Sequence, residues 1–126
     1  MPDLLLDSVA LIDYLNDIDQ ARTYVNTHAS QSIISAVAAA EVLTGVDSEG
    51  VAPTMRFLDR FPLLKVDRTA AVTAARLRRE HGWKLPDAFQ AALAQKYDLQ
   101  LVTRNTKDFD PSTHDFVVVP YRLDMS

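Results

Sequence analysis

Residues 4–15 read LLLDSVALIDYL. Three consecutive leucines with no polar alternation describe a short strand buried on both faces, as in a parallel sheet. The strand spans LLLD at 4–7. SVALIDYLND at 8–17 follows at once, with Val9, Leu11, Ile12 and Leu15 near helical spacing. A strand that passes directly into a helix is the opening of an α/β unit.

The rest of the chain continues the alternation. Residues 19–29 carry Ala21, Tyr24, Val25 and His28 at helical spacing, and SII at 32–34 is a short strand. SAVAAAEVLTG at 35–45 reads as a helix with Ser35 as N-cap and Gly45 as its stop. Residues 51–60 give a helix with Pro53 in its first turn, and FPLLKV at 61–66 is strand-like. DRTAAVTAARLRREHG at 67–82 is a helix between an Asp67 cap and Gly82. LPDAFQAALAQKY at 85–97 is a helix with Pro86 where a missing N–H costs little. LQLVTR at 99–104 and FVVVPY at 116–121 complete the strands. The expected fold is a three-layer α/β/α sandwich around a mainly parallel sheet of four to five strands, as one domain over residues 1–126.

Composition narrows the function. With 48% hydrophobic residues the 126-residue chain can bury a core, which excludes a disordered tail. The absence of Cys excludes a disulfide scaffold and a thiolate zinc site. No run approaches the ~18 apolar residues of a membrane span. The opening MPDLLLDS carries acids where a secretory signal is basic, so a soluble cytoplasmic protein is expected. A net charge of −4 argues against a nucleic-acid binder driven by bulk charge.

The acids carry the functional signal. Asp7 is the only charged residue from Leu4 to Ile12, Glu41 from Thr23 to Val46, and Asp87 from Leu85 to Gln95. Each sits in an apolar or Ala-rich segment. Glu41 has Val37, Ala38, Thr44 and Gly45 at its helical neighbour positions, so no ion pair is available along the helix. In the expected topology Asp7 ends the first strand, Glu41 lies in the second turn after the second strand, and Asp87 lies in a helical first turn. Asn105 and Asp108 follow the fourth strand. All lie at the carboxyl edge of the sheet, where ligands bind in open α/β folds. Gathered carboxylates repel one another, and a divalent cation such as Mg²⁺ or Mn²⁺ removes that penalty. The reaction class this suggests is phosphodiester hydrolysis. Ordinary roles compete: Asp87 with the helix dipole, Asp7 as a helix cap, Glu41 on a solvated face, Asp108 as a loop acid.

LLLDSVALIDYL, AAAEVLTG, KLPDAFQAALAQ and LVTRNTKDF, in this order, resemble the PIN-domain family, and within it the VapC-type ribonuclease toxins of bacterial toxin–antitoxin pairs. The resemblance covers nearly the whole chain. It implies a sheet ordered 3-2-1-4-5 and an acidic catalytic and metal-binding set of Asp7, Glu41, Asp87 and Asp108. It also implies Mg²⁺- or Mn²⁺-dependent cleavage of RNA, a homodimer and inhibition by a small antitoxin protein. Ser8, Thr103 and Asn105 match polar positions of its motifs. Arg104 and Lys107, beside the expected crevice, are candidate phosphate contacts. Val9 stands where the family often has Asn, and Asn105 where it often has Asp. These two positions motivate an alternative, a catalytically weakened PIN-like domain that binds protein or RNA.

Other readings fit less well. A phosphoacceptor receiver needs paired acids after the first strand, where Asp7 precedes Ser8, and an Asp ending the third, where Lys65-Val66 stand. An Asp-x-Asp phosphatase has its second acid where Val9 lies, and three Gly leave no phosphate-cradling loop. In RLRREHGWK, Trp83 among basic residues suggests base stacking, but a solvated helix end is preferred. Phe57, Leu58, Phe61, Leu63 and Leu64 read as core or partly as a dimer face. Asp13, Asp17 and Asp19 read as solvent-facing. His28, His81 and His114 read as surface or hydrogen-bonded histidines without metal-ligand spacing.

Overall fold

The computed structural model describes residues 2–123. Its elements are β1 (Leu4–Leu6), α1 (Ser8–Leu15), α2 (Asp19–His28), a 3₁₀ turn (Ala29–Gln31), β2 (Ser32–Ser35) and α3 (Ala36–Thr44). They continue with α4 (Val51–Leu58), β3 (Leu63–Leu64), α5 (Arg68–His81), α6 (Leu85–Lys96), β4 (Gln100–Val102) and β5 (Val117–Val118). The sheet is ordered β3-β2-β1-β4-β5, and every neighbouring pair is parallel. This is the α/β fold expected from the sequence.

β1 lies at the centre and is buried on both faces, which is why it consists of leucines alone. Leu5 and Leu101 turn to the side covered by α5 and α6. Leu4, Leu6 and Val102 turn to the side covered by α1–α4. The helices begin where the sequence provides caps. The Asp7 carboxylate accepts from the Ser8 N–H, Ser35 Oγ from the Ala38 N–H, and Asp67 from the Ala70 N–H. α5 stops at Gly82, whose φ of 72° is the left-handed conformation that glycine adopts without strain.

The outer strands are shorter than their sequence patterns. Of FPLLKV only Leu63–Leu64 pairs, and Leu63 is 52% exposed because β3 is an edge. The apolar run before it is core at Phe57, Leu58 and Phe61. Of FVVVPY only Val117–Val118 pairs, and Pro120 cannot donate to a ladder. Among the described residues no helix is long and apolar enough to cross a membrane.

Leu6 is fully buried between β2 and β4. Leu6→Ala is expected to cost about 2–5 kcal/mol in equilibrium denaturation. A loss below about 1 kcal/mol would mean that the centre of the sheet is not the packed core described here.

Candidate active site

The end of β1 sets the site. The Asp7 N–H donates to the Val102 carbonyl at 3.0 Å, continuing the ladder between β1 and β4. The side chain is therefore delivered into the protein, and Asp7 is 2% exposed. Three elements supply donors to it. Thr103, just past β4, donates its hydroxyl to Asp7 Oδ2 at 2.7 Å. Gln90 of α6 donates Nε2 to Oδ1 at 3.3 Å, and the Ser8 N–H of α1 donates to Oδ1 at 2.8 Å. Gln90 is itself oriented by Ser35, whose hydroxyl donates to Gln90 Oε1 at 2.6 Å. Ser35 thus caps α3 and also aims the amide nitrogen of Gln90 at Asp7.

Every one of these donors is neutral. Burial pushes the Asp7 pKa up, and the hydrogen bonds from Thr103, Gln90 and Ser8 act against it. No arginine or lysine pairs with it among the described residues. A buried aspartate with no cation is an expensive arrangement unless a cation arrives from outside.

The other acids surround it. Asp87, at the third position of α6, is pushed up to about 6 by burial and then by the charges of Asp7, Asp108 and Glu41, with only Lys84 acting against them. Burial also raises the Glu41 pKa, the neighbouring Ser8 hydroxyl offsets part of this, and the Asp7 charge adds to it. Asp108 is half-buried. It accepts from Asn105 Nδ2 at 3.1 Å, and its main-chain carbonyl accepts from Trp83 Nε1 at 3.1 Å. The Asn105 N–H donates to Thr103 Oγ1 at 3.1 Å, tying the loop after β4 to the group that holds Asp7. An apolar cavity of about 480 Å³ between α3 and α6 opens beside Glu41 and is walled by Val37, Val66, Leu85 and Phe89.

The donor chemistry fits a hard divalent cation: oxygen ligands, several negative charges and one remote lysine. Among the described residues no three His, Asp or Glu side chains are gathered tightly enough to enclose an ion. Mg²⁺ does not require a closed cage, because it keeps several waters and is held by one or two carboxylates.

Two readings of the sequence are corrected. Asp13 was expected to face solvent, yet it is 5% exposed. Arg104 grips it through Nε at 2.6 Å and Nη2 at 3.0 Å, and the Tyr121 hydroxyl donates at 2.8 Å. Burial alone would raise the Asp13 pKa, but these donors outweigh it and hold the carboxyl below its usual range. Trp83 is no solvated helix end and no free stacking surface. It is 5% exposed, lies against Phe109 and stacks on His81, with His114 edge-on. Lys107 is exposed, as are Asp17 and Asp19. His28 Nδ1 pairs with the Tyr24 carbonyl. The residues missed by sequence reasoning are Gln90, Asp13 and Tyr121. Gln90 had a signal: it is a polar residue three positions after Asp87 on an otherwise apolar helix face.

The PIN domain family matches residues 4–110. A toxin–antitoxin complex from Klebsiella pneumoniae contains a chain that is 33% identical, with a TM-score of 0.85 over 95% of this chain and 99% of that one. DNA-bound VapBC from Salmonella typhimurium gives 23% identity and a TM-score of 0.75 over 87% and 92%. FitAcB from Neisseria gonorrhoeae gives 21% and 0.75 over 95% and 99%. The last two are likenesses of fold. No curated protein sequence matches the chain.

The crowding has a measurable sign. With a folded pKa of about 6 against 3.8 for the free group, Asp87 holds extra proton in the folded state between those values. Its contribution to stability therefore falls as pH rises through that window and is fully unfavourable above about 6. Discounted for its half-exposure, the effect is about 1 kcal/mol. Asp87→Asn is expected to stabilise the metal-free protein by about that amount at pH 7 and not at pH 4. Equal melting temperatures at both pH values would remove the repulsion from the account.

Proposed function

The chain belongs to the PIN domain family, whose members are generally nucleases, and on that premise we propose that it is a divalent-metal-dependent endoribonuclease, the toxin of a toxin–antitoxin pair. The observation that carries this reading is the buried Asp7, held only by neutral donors and flanked by Asp87, Glu41 and Asp108. The 33% identical neighbour in a toxin–antitoxin complex supports the toxin role.

In this reading Asp7 and Asp87 would hold Mg²⁺ or Mn²⁺, with Glu41 and Asp108 completing the acidic set. When bound, the ion would supply positive charge to a phosphate and polarise a water. The residues of the chain do the positioning. Thr103, Gln90 and the Ser8 N–H fix both oxygens of Asp7, so its orientation does not depend on the ligand. Glu41 accepts a hydrogen bond from the attacking water and turns its lone pair toward phosphorus. Asn105 holds Asp108 at the rim. Ser8 stands beside Glu41, while Arg104 and Lys107 lie on the side from which the substrate backbone approaches. A small antitoxin is the expected inhibitor, and a homodimer is the expected assembly.

One observation favours a second reading. The Asn105 amide already engages one oxygen of Asp108, and no three acids enclose an ion among the described residues. A domain that binds RNA or protein without cleaving it would tolerate both. RNA incubated with Mg²⁺, Mn²⁺ or EDTA separates the two. The nuclease reading expects cleavage with either ion, none in EDTA, and a loss of at least about a hundredfold in Asp7→Asn with an unchanged circular dichroism spectrum. Full cleavage by a clean Asp7→Asn preparation, or none by the wild type, would contradict it.

A further inference from the structure

Arg104 and Arg122 face one cavity of about 310 Å³, whose remaining walls are Val119, Tyr121 and Leu123. Arg104 directly follows Thr103, the residue that holds Asp7 Oδ2, so the cavity lies past the carboxyl end of β4, the same edge of the sheet at which Asp7 ends β1. Among the described residues its only charged lining groups are cations.

Arg104 is built into place. A guanidinium carries five N–H donors in a rigid fork. Nε and Nη2 bind Asp13, which leaves the Nη1 donors uncommitted to that carboxylate. Asp13 is in turn fixed by the Tyr121 hydroxyl, so carboxylate, arginine and tyrosine form one rigid unit. The ordering of a long side chain is thus complete before any ligand arrives, which lowers the cost of binding. Arg122 is exposed and has no ion-pair partner among the described residues. Asp13 balances the charge of Arg104, so among the described residues Arg122 gives the cavity a net positive charge.

We propose that this cavity is a phosphate subsite, in which Arg104 and Arg122 take a non-scissile phosphate of single-stranded RNA while the neighbouring phosphate lies at the acids. The proposal rests on the ribonuclease reading and adds to it the residues that grip the substrate outside the reacting centre. A chain of net charge −4 repels a polyanion overall, so local cations beside the acids are what hold the backbone in place. Arginine offers paired donors that match two phosphate oxygens.

The test uses the full chain and single-stranded RNA cleaved at several salt concentrations. Arg122→Gln is expected to raise KM about five- to tenfold. It should also lower the slope of log(1/KM) against log[salt] by about 0.7, the signature of one lost single-strand phosphate contact. Arg56→Gln removes the same charge from α4, which lies by β3 at the other edge of the sheet from β5, and should change neither. Equal behaviour of Arg122→Gln and wild type, or equal losses in both variants, overturns the subsite. A second measurement titrates inorganic phosphate against the protein and follows the arginine Nε–H signals by NMR. Shifts at Arg104 and Arg122 in the wild type, with the Arg104 shift lost in Arg122→Gln, support the site, and the absence of any wild-type shift overturns it. If phosphate binds but the wild type neither binds nor cleaves RNA, the ribonuclease reading falls and the RNA assignment falls with it. If a Glu-rich peptide displaces phosphate and RNA does not, the cavity serves a protein partner and the proposal is wrong.

Discussion

A carboxylate buried at the end of the central strand, with neutral donors and no cation partner among the described residues, shapes everything around it. Asp7 occupies the place where β1 and β4 both end and where α1 begins. Its backbone must finish the ladder, so its side chain has nowhere to go but inward. The protein meets this burial with three neutral hydrogen bonds, which keep the acid oriented without neutralising it. Placing other acids around it worsens the electrostatics: the charges of Asp7, Asp108 and Glu41 all oppose the charge of Asp87, and that of Asp7 opposes the charge of Glu41. Under the proposed function, a divalent ion would relieve this unfavourable arrangement.

The second buried aspartate shows that the protein has another solution available. Asp13, on the same helix that Asp7 caps, receives a two-pronged arginine and a tyrosine hydroxyl. It is held below its usual pKa, whereas Asp7 is pushed above it. Under the proposed function the contrast separates a structural ion pair from an acid that would receive a ligand. It also accounts for Arg104, which is tied down by Asp13 rather than left to neutralise the cluster next door.

Much of this was legible in the sequence. The unbroken leucines of β1, the Ser35 and Asp67 caps, and the Gly82 stop each express local rules, so the order of elements followed from them. Asp7, Glu41 and Asp87 stood out because each is a lone charge in an apolar stretch, and a parallel topology sends such positions to one edge. What stayed hidden depends on contacts between distant residues. Asp13 resembles an ordinary helix-surface acid until Arg104 and Tyr121, far along the chain, fold over it. Trp83 reads as a solvated helix end until the loop after β4 supplies the Asp108 carbonyl for its indole. The outer strands read long because hydrophobic pattern reports burial tendency, while pairing also needs donors, which Pro62 and Pro120 lack.

The central claim is that the acids at the carboxyl edge repel one another and that a divalent ion relieves this. The direct test is the melting temperature of the metal-free protein at pH 7 as Mn²⁺ or Mg²⁺ is added, with NaCl matched for ionic strength. A saturable rise with either ion that NaCl does not reproduce is expected, from the linkage between binding and stability. A melting temperature that responds identically to all three salts would show that the carboxylates form no cation site, and the nuclease reading would lose its foundation.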